Sequence, residues 1–219
     1  KPYVKLVTQL HRGKPHGFHK EYYPSGRLHM DGWMQEGKEN GVWTGYFEGG
    51  QQGFQVHWVK GLREGAVQEW YQNCQLSKTG QFKEGQKMGV WKKWHSNGNK
   101  HWEGEYRADT KNGDWTEYAK EGPRLSTGPY KDGSKQGEWI EFLLNGVEWK
   151  RVEYLGNKRQ GQAEEACETL KGVWTVDHKE RTQGCTVLRR REGLWKGVYP
   201  TGTPEWEAEY RLGQREGSW

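Results

Sequence analysis

Aliphatic residues are scarce in this sequence, and none of its apolar runs is long. Only 32% of the 219 residues are hydrophobic, whereas the chain contains 32 glycines and 14 tryptophans. These residues are too few for a thick two-layer core, and no stretch approaches the ~20 apolar residues that a membrane helix needs. Disordered chains are poor in aromatic residues, whereas 14% of this sequence is aromatic. The composition therefore favours a thin sheet in which large rings cover glycines.

Catalytic motifs are lacking as well. The sequence has no Gly-x-Ser-x-Gly, His-Glu-x-x-His or phosphate-binding loop pattern, and its eight histidines are scattered. The nearest pair is His16 and His19, and residues three apart do not share a face of a simple strand. We therefore expect no enzyme, no metal site and no cofactor.

Charge of a single sign is not concentrated anywhere in the chain. The 34 basic and 29 acidic residues are interspersed and leave a net charge of +5. Such mixing is typical of a solvated surface and predicts no nucleic-acid partner. The small positive excess leaves contact with a membrane surface as an alternative.

A 24-residue unit repeats through most of the sequence. Its clearest copy is Gly85–Tyr106, GQKMGVWKKWHSNGNKHWEGEY, and its glycines and aromatic residues return at the same spacing in the neighbouring copies. A fixed period of this length indicates a repeat architecture. We number six uninterrupted copies as repeats 1 to 6, which begin at Gly13, Gly37, Gly61, Gly85, Asp109 and Gly133.

Each repeat predicts a β-hairpin. Two alternating runs flank Asn97-Gly98, the signal of a type I′ turn. Folding there places Trp91 opposite Gly104, and in repeat 2 it places Trp43 opposite Val56, so that large rings face small residues. Because a one-residue slip would break all such pairs, the register is well specified. A second turn at 131–134 would join successive hairpins. The predicted fold is an all-β, elongated, single-layer, twisted antiparallel meander of 24-residue hairpins with one short helical insert.

A second row of rings falls on the opposite face of this predicted sheet. Its predicted cross-strand neighbours are mixed and include His29, Gly53 and Ser77. The rings either form an exposed strip that binds a partner or are covered by lysine and arginine stems. We call this set the second aromatic row, and we take it as the candidate binding site: Tyr22, Tyr46, Trp70, Trp94, Tyr118 and Phe142.

The repeat pattern stops after Gly161 and resumes near residue 186. Residues 162–171 contain good helix formers and precede Gly172, which predicts one short helix. Cys167 and Cys185 lie in this insert, and a disulfide between them would staple the helix to the following strands. Two unrelated thiols are the alternative. The predicted divisions are repeats at 1–161, an insert at 162–185 and repeats again at 186–219.

The pattern Gly-x-x-x-Gly-x-Trp-x-x-Tyr/Trp-x-x-Asn-Gly, followed by a small residue and a tyrosine, resembles the MORN repeat. It is most similar to the bacterial variant found in toxin–antitoxin-associated proteins. The resemblance covers 1–161 and 186–219 but not the insert. It implies hairpins joined into a single twisted sheet, and for function it implies scaffolding, dimerisation, lipid contact or antitoxin activity. Choline-binding repeats are also rich in Trp, Tyr and Gly, but their aromatic spacing fits less well.

These features together predict a non-enzymatic scaffold that binds another protein or associates with itself through its sheet edges. The disulfide would place it in the periplasm or outside the cell, in the bacterial envelope or exported, because such bonds persist in oxidising compartments. Without the bond, a cytoplasmic location is expected. Two alternatives are an envelope glycan bound by the second aromatic row, and an antitoxin-like neutraliser of a partner protein.

Overall fold

The computed structural model describes residues 4–160, 173–177, 182–187, 190–198, 204–211 and 214–216. All described regular structure is β, and the strand pairs whose register is described are antiparallel, as predicted. The predicted helix at 162–171 lies outside the described residues. The chain divides into two compact units, Lys1–Gly113 and Asp114–Trp219.

Fourteen strands follow one another in sequence order in the first sheet. All strand pairs in extensive contact within the described residues are consecutive, so that no second layer covers this sheet there. Its strands are β1 Leu6–His11, β2 Lys14–Tyr22, β3 Leu28–Gln35, β4 Lys38–Tyr46, β5 Gln52–Val59, β6 Leu62–Trp70, β7 Leu76–Lys83, β8 Gln86–Trp94, β9 Lys100–Arg107, β10 Thr110–Tyr118, β11 Arg124–Lys131, β12 Ser134–Phe142, β13 Glu148–Leu155 and β14 Lys158–Gln160.

A second sheet contains five strands, again in sequence order. Its central pair repeats the arrangement of the first sheet, since Trp195 lies opposite Ala208 and both are buried. The strands are β15 Val173–Asp177, β16 Thr182–Val187, β17 Arg190–Val198, β18 Pro204–Arg211 and β19 Gln214–Glu216.

The predicted cross-strand register is confirmed in the body of the hairpins. Trp91 lies opposite Gly104 and Trp43 lies opposite Val56. These tryptophans belong to one buried row, which continues through valines and a phenylalanine on the neighbouring strands. The sheet therefore places its apolar core on one face.

The rings of three tryptophans, however, lie directly against a glycine of the preceding repeat. A Cβ added to Gly80 would lie 2.1 Å from the Trp91 ring, and one added to Gly32 would lie 2.2 Å from Trp43. Gly128 and Trp139 show the same relation at 2.5 Å. Rings therefore connect repeats, and each one lies flat on the strand before it.

Repeat 3 shows what replaces this contact when the tryptophan is absent. Val67 stands at the tryptophan position, and it pairs directly with Val56, which replaces the glycine. Two medium side chains thus fill the space that one large ring and one glycine fill elsewhere. Volume-conserving exchange is the kind that cores tolerate best.

Side chains of the same layer bury Trp91, which is only 1% exposed. The rings of Phe82 and Tyr106 meet it edge-on at 5.1 and 5.9 Å between centroids. Lys87 Nζ lies 5.1 Å from its ring centroid on the outer side. Edge-to-face rings and a cation over the indole are favourable contacts, and here they replace a second sheet.

The turn within each repeat differs from the prediction. In repeat 4 the Gly98 N–H donates to His95 O and the His95 N–H donates to Asn99 O, which closes a three-residue loop. Only Gly98 has positive φ, at 90°, so this is a type I turn followed by a left-handed residue and not a type I′ turn. The predicted type I′ turn is wrong because Asn97 keeps a negative φ and its Oδ1 accepts a hydrogen bond from the Asn99 N–H.

The longer loop also changes the neighbours of the second aromatic row. Trp94 pairs with Lys100 and not with His101, because His101 is a bulged residue that pairs with neither strand position. Before the bulge Lys93 pairs with Trp102, and after it Trp94 pairs with Lys100. Tyr46 likewise pairs with Gln52, so Gly53 is the bulged residue of repeat 2. Type I′ geometry occurs instead between repeats, where Asp132 and Gly133 both have positive φ, at 49° and 82°.

Adjacent repeats are linked at both ends of their strands. At the turns between repeats, the Gly85 N–H donates to Arg63 O at 2.9 Å, and the Gly61 N–H donates to Glu39 O at 2.8 Å. At the turns within repeats, Tyr71 Oη donates to Trp94 O at 2.7 Å. The turns at both ends of the strands thus add contacts between repeats beyond the hydrogen bonds of the strand ladders.

A double-mutant cycle should show that the tryptophan and the preceding glycine form one packing unit. We expect Gly80→Val to destabilise the chain by about 1–3 kcal/mol through overpacking, and Trp91→Val by about 3–5 kcal/mol through loss of the ring. The double variant should recover about 0.5–3 kcal/mol of their sum, because it recreates the Val56–Val67 pair. Chemical denaturation measures all four proteins.

The matched control combines Gly80→Val with Trp43→Val, two sites that do not touch, and their effects should add. Additivity in the Gly80–Trp91 cycle as well would contradict the packing argument.

Cys74 occupies a position that favours glycine. It takes the left-handed turn position of repeat 3 with φ of 65°, where repeat 4 has Gly98. We expect Cys74→Gly to stabilise the chain by about 1 kcal/mol, because a side chain in this conformation is strained. Cys74→Ser keeps the Cβ and should leave the free energy of unfolding unchanged. Equal stability of the glycine and serine variants would show that this turn is not strained.

Candidate functional site

The six rings of the second aromatic row are partly or fully covered. Phe142 is buried, at 7% exposure, and Arg124 Cζ lies 4.8 Å from its ring centroid. This covering by an arginine is the alternative that the sequence left open, and it is observed at Phe142. The other five rings are half-buried: Tyr22, Tyr46, Trp70, Trp94 and Tyr118.

Tyr46 has the most distinctive electrostatic surroundings of this row. Burial raises its pKa above the ordinary value of 10.0, and the negative charge of Asp31 raises it further. Asp31 Oδ1 is buried without a hydrogen-bond partner in the described residues. Burial and the neighbouring carboxylate therefore both favour the neutral form of the Tyr46 hydroxyl.

A groove of about 400 Å³ lies beside the turns within repeats 1 and 2. It brings together only two residues of the second aromatic row, Tyr46 and Trp70, and it adds four further rings from neighbouring positions. A volume of this size is in the range of small-ligand sites. The lining residues are Tyr23, His29, Gly45, Tyr46, Phe47, Gly53, Phe54, Glu69 and Trp70.

Two glycines of repeat 2 line this groove, and one of them leaves it open. Gly45 stands where repeats 1, 3, 5 and 6 have glutamate, and the Phe54 ring lies so close that an added Cβ would be 2.0 Å from it. Gly53 stands at the bulge, where repeats 1 and 4 have His29 and His101. The Phe54 ring fills the place of a side chain at Gly45, whereas the absence of a side chain at Gly53 leaves open space beside Phe47.

Hydrogen bonds and ring contacts fix the walls of the groove. Tyr23 Oη donates to Tyr46 O at 2.7 Å, and the Tyr23 and His29 rings lie 4.6 Å apart. Glu69 Oε2 accepts a hydrogen bond from Lys78 Nζ at 2.7 Å. Sequence reasoning missed Tyr23, Phe47 and Phe54. The signal that could have found the groove is the departure of one repeat from the residue types of the others.

A second surface feature is a row of exposed apolar side chains on strands β2, β4 and β8. Phe18, Val42 and Val90 are 42%, 53% and 59% exposed. Val42 and Val90 directly precede Trp43 and Trp91 of the buried row, and Phe18 precedes His19, whose ring lies 5.2 Å from that of Trp43. All three therefore point to the opposite face of the sheet. We call these three residues the outer apolar row. Trp33, 50% exposed, lies opposite Phe18 and extends it.

No metal or membrane-spanning element emerges from the described part of the chain. It holds no cluster of three or more His, Cys, Asp or Glu side chains that could bind a metal ion. Nor do its residues include a helix long and apolar enough to span a bilayer.

The predicted disulfide stays a prediction. Cys167 lies outside the described residues, and Cys185 belongs to β16, where it pairs with Trp174 on β15. Cys74 is exposed at its turn.

The chain matches no protein-family model, and no curated protein is significantly similar to it.

Counting thiols would test the disulfide. Of the three cysteines, we expect only Cys74 to react in denatured protein that has not been reduced, and all three after reduction. Ellman titration of both samples gives the count, and a Cys74→Ser variant should then show no reactive thiol before reduction. Three reactive thiols before reduction would refute the bond and remove the main support for an exported protein.

Proposed function

We propose that this chain is a non-enzymatic repeat scaffold of the MORN type that binds another protein. The observation that carries the proposal is the outer apolar row. Three large apolar side chains stay about half exposed at the same position of three repeats, although the sequence is poor in such residues. Contiguous exposed apolar surface marks interaction sites, and the exposed Trp33 ring opposite Phe18 enlarges the apolar surface at this end of the row.

The architecture supports this proposal in two further ways. Repeats that stack in one direction present a surface whose binding residues recur at fixed spacing, as solenoid proteins do. The outer apolar row lies on the face opposite the tryptophan core, so a partner could bind there without disturbing the packing. We place the protein in the bacterial envelope or outside the cell if Cys167 and Cys185 are bonded, and in the cytoplasm otherwise.

The alternative functions have narrower support. Glycan binding would use the second aromatic row, of which Tyr46 and Trp70 line one groove while Phe142 is covered by Arg124. Antitoxin activity has the resemblance to toxin–antitoxin-associated repeats as its support.

Threonine substitutions in the outer apolar row test the main proposal. The variant Phe18→Thr, Val42→Thr, Val90→Thr keeps residues that suit strands, and we expect its thermal stability to be unchanged. Its affinity for the partner, identified by cross-linking in extract and then purified, should fall more than tenfold, because each apolar side chain loses burial at the interface. Sedimentation velocity of the chain alone shows whether the partner is a second copy.

The matched control is Val59→Thr, Leu62→Thr, which changes two similarly exposed residues beside the turn between repeats 2 and 3. It should bind like the unmodified chain. Equal affinity of both variants would refute the outer apolar row as the interface, and loss of binding only after Trp94→Ala would favour the glycan alternative.

A further inference from the structure

We propose that the groove of repeat 2 binds an arginine side chain presented by the partner protein. The inference deepens the proposed function and depends on it for the nature of the partner. It follows from what the chain itself places at the equivalent positions of other repeats.

In two repeats the bulge residue covers the residue that follows the first strand of its own hairpin. In repeat 1 the His29 ring lies 4.6 Å from the Tyr23 ring, and in repeat 4 the His101 ring stacks on His95 at 4.3 Å with 27° between the planes. Repeat 2 has Gly53 at this position and Phe47 beneath it. The groove is therefore the place of a missing planar side chain.

Space and backbone geometry both permit a planar group there. A Cβ added at Gly53 would lie 3.4 Å from the Phe47 ring and 3.5 Å from Gly45 O, which are close but ordinary contacts. Gly53 does not have the positive φ that would exclude a side chain. The groove is thus open because residue 53 is glycine, although the backbone at this position would accept a residue with a side chain.

The charge of the groove favours a cation over a neutral ring. No lysine or arginine is among its lining residues, whereas Glu69 is. Lys78 bonds to Oε2 of Glu69, and Oε1 makes no hydrogen bond within the described residues. Glu21 Oε2 lies 3.6 Å from His29 Nδ1 at the rim. A guanidinium could stack on Phe47 and donate to the free Glu69 oxygen together.

Elsewhere this chain covers its rings with its own cations. Arg63 Cζ lies 4.0 Å from the Phe82 centroid, and Lys135 Nζ lies 3.8 Å from that of Trp139. Within the described residues, no cation of the chain lies over Phe47 or Phe54 in this way. Because guanidinium stacking already recurs in this molecule, a guanidinium from outside would complete the pattern at the uncovered rings.

The full chain can be tested with short peptides. We expect acetyl-Gly-Arg-Gly-amide to shift the Gly45 backbone amide resonance saturably in NMR spectra. The peptide with citrulline in place of arginine, which keeps the shape without the charge, should bind at least tenfold more weakly. Gly53→His should weaken arginine-peptide binding at least tenfold, because it refills the groove as His29 and His101 do.

Ser77→His is the matched control. It adds the same ring at the same position of repeat 3, outside the groove lining, and should bind the peptide like the unmodified chain. Glu69→Gln provides a second test that leaves the groove open, and it should weaken binding of the arginine peptide while leaving that of the citrulline peptide unchanged.

Several results would overturn the proposal: no saturable shift, equal binding of the two peptides, or equal binding by the Gly53→His and Ser77→His variants. Tetramethylammonium bound as tightly as the arginine peptide would indicate a site for small cations, and a shift produced by chitotriose alone would indicate a glycan site. If the peptide fails while the outer apolar row variant still loses its partner, only the groove assignment falls. If instead the peptide binds and the outer apolar row variant keeps its partner, the groove assignment stands and the outer apolar row is not the interface.

Discussion

The contact between a tryptophan and the glycine of the repeat before it is the constraint on which this structure depends. An antiparallel sheet with one layer has no second sheet to exclude water from its apolar face. Here the ring lies flat on the preceding strand, and its edges meet the neighbouring rings. The tryptophan is thereby buried by its own layer, and each repeat that carries this contact needs the repeat before it. Stability in such an array is a sum of contacts between neighbours, as in other repeat proteins.

This contact also explains which residues vary together. Between repeats 3 and 4 the Trp91 ring fills the space above Gly80. Between repeats 2 and 3 the side chains of Val56 and Val67 together fill the equivalent space. The size of the residue at the glycine position therefore depends on the residue at the tryptophan position of the next repeat. Its cross-strand partner in the same hairpin constrains it only indirectly. The sequence period alone does not distinguish these two relations, because both recur every 24 residues.

Much of the fold could be predicted from the sequence, and the part that could not has a local cause. The period and the alternation of large and small residues determine the strands, their order and the pairing of Trp91 with Gly104. The turn type could not be read from Asn97-Gly98, because asparagine can either adopt positive φ or hydrogen-bond to the backbone two residues on. It does the second, and the bulge that follows displaces His101 by one position.

The candidate site was harder to predict because function in a repeat protein lies in departures from the repeat. The second aromatic row was chosen for its regularity, yet the groove contains only Tyr46 and Trp70 of that row. What opens the groove is the replacement of a side chain by Gly53 in one repeat, while the Phe54 ring fills the place of a side chain at Gly45. A bulge permits a replacement like that of Gly53 at little cost, since its residue leaves the strand ladder and loses little pairing when the side chain is removed. The regular positions hold the sheet together, and the bulge positions are therefore free to differ between repeats.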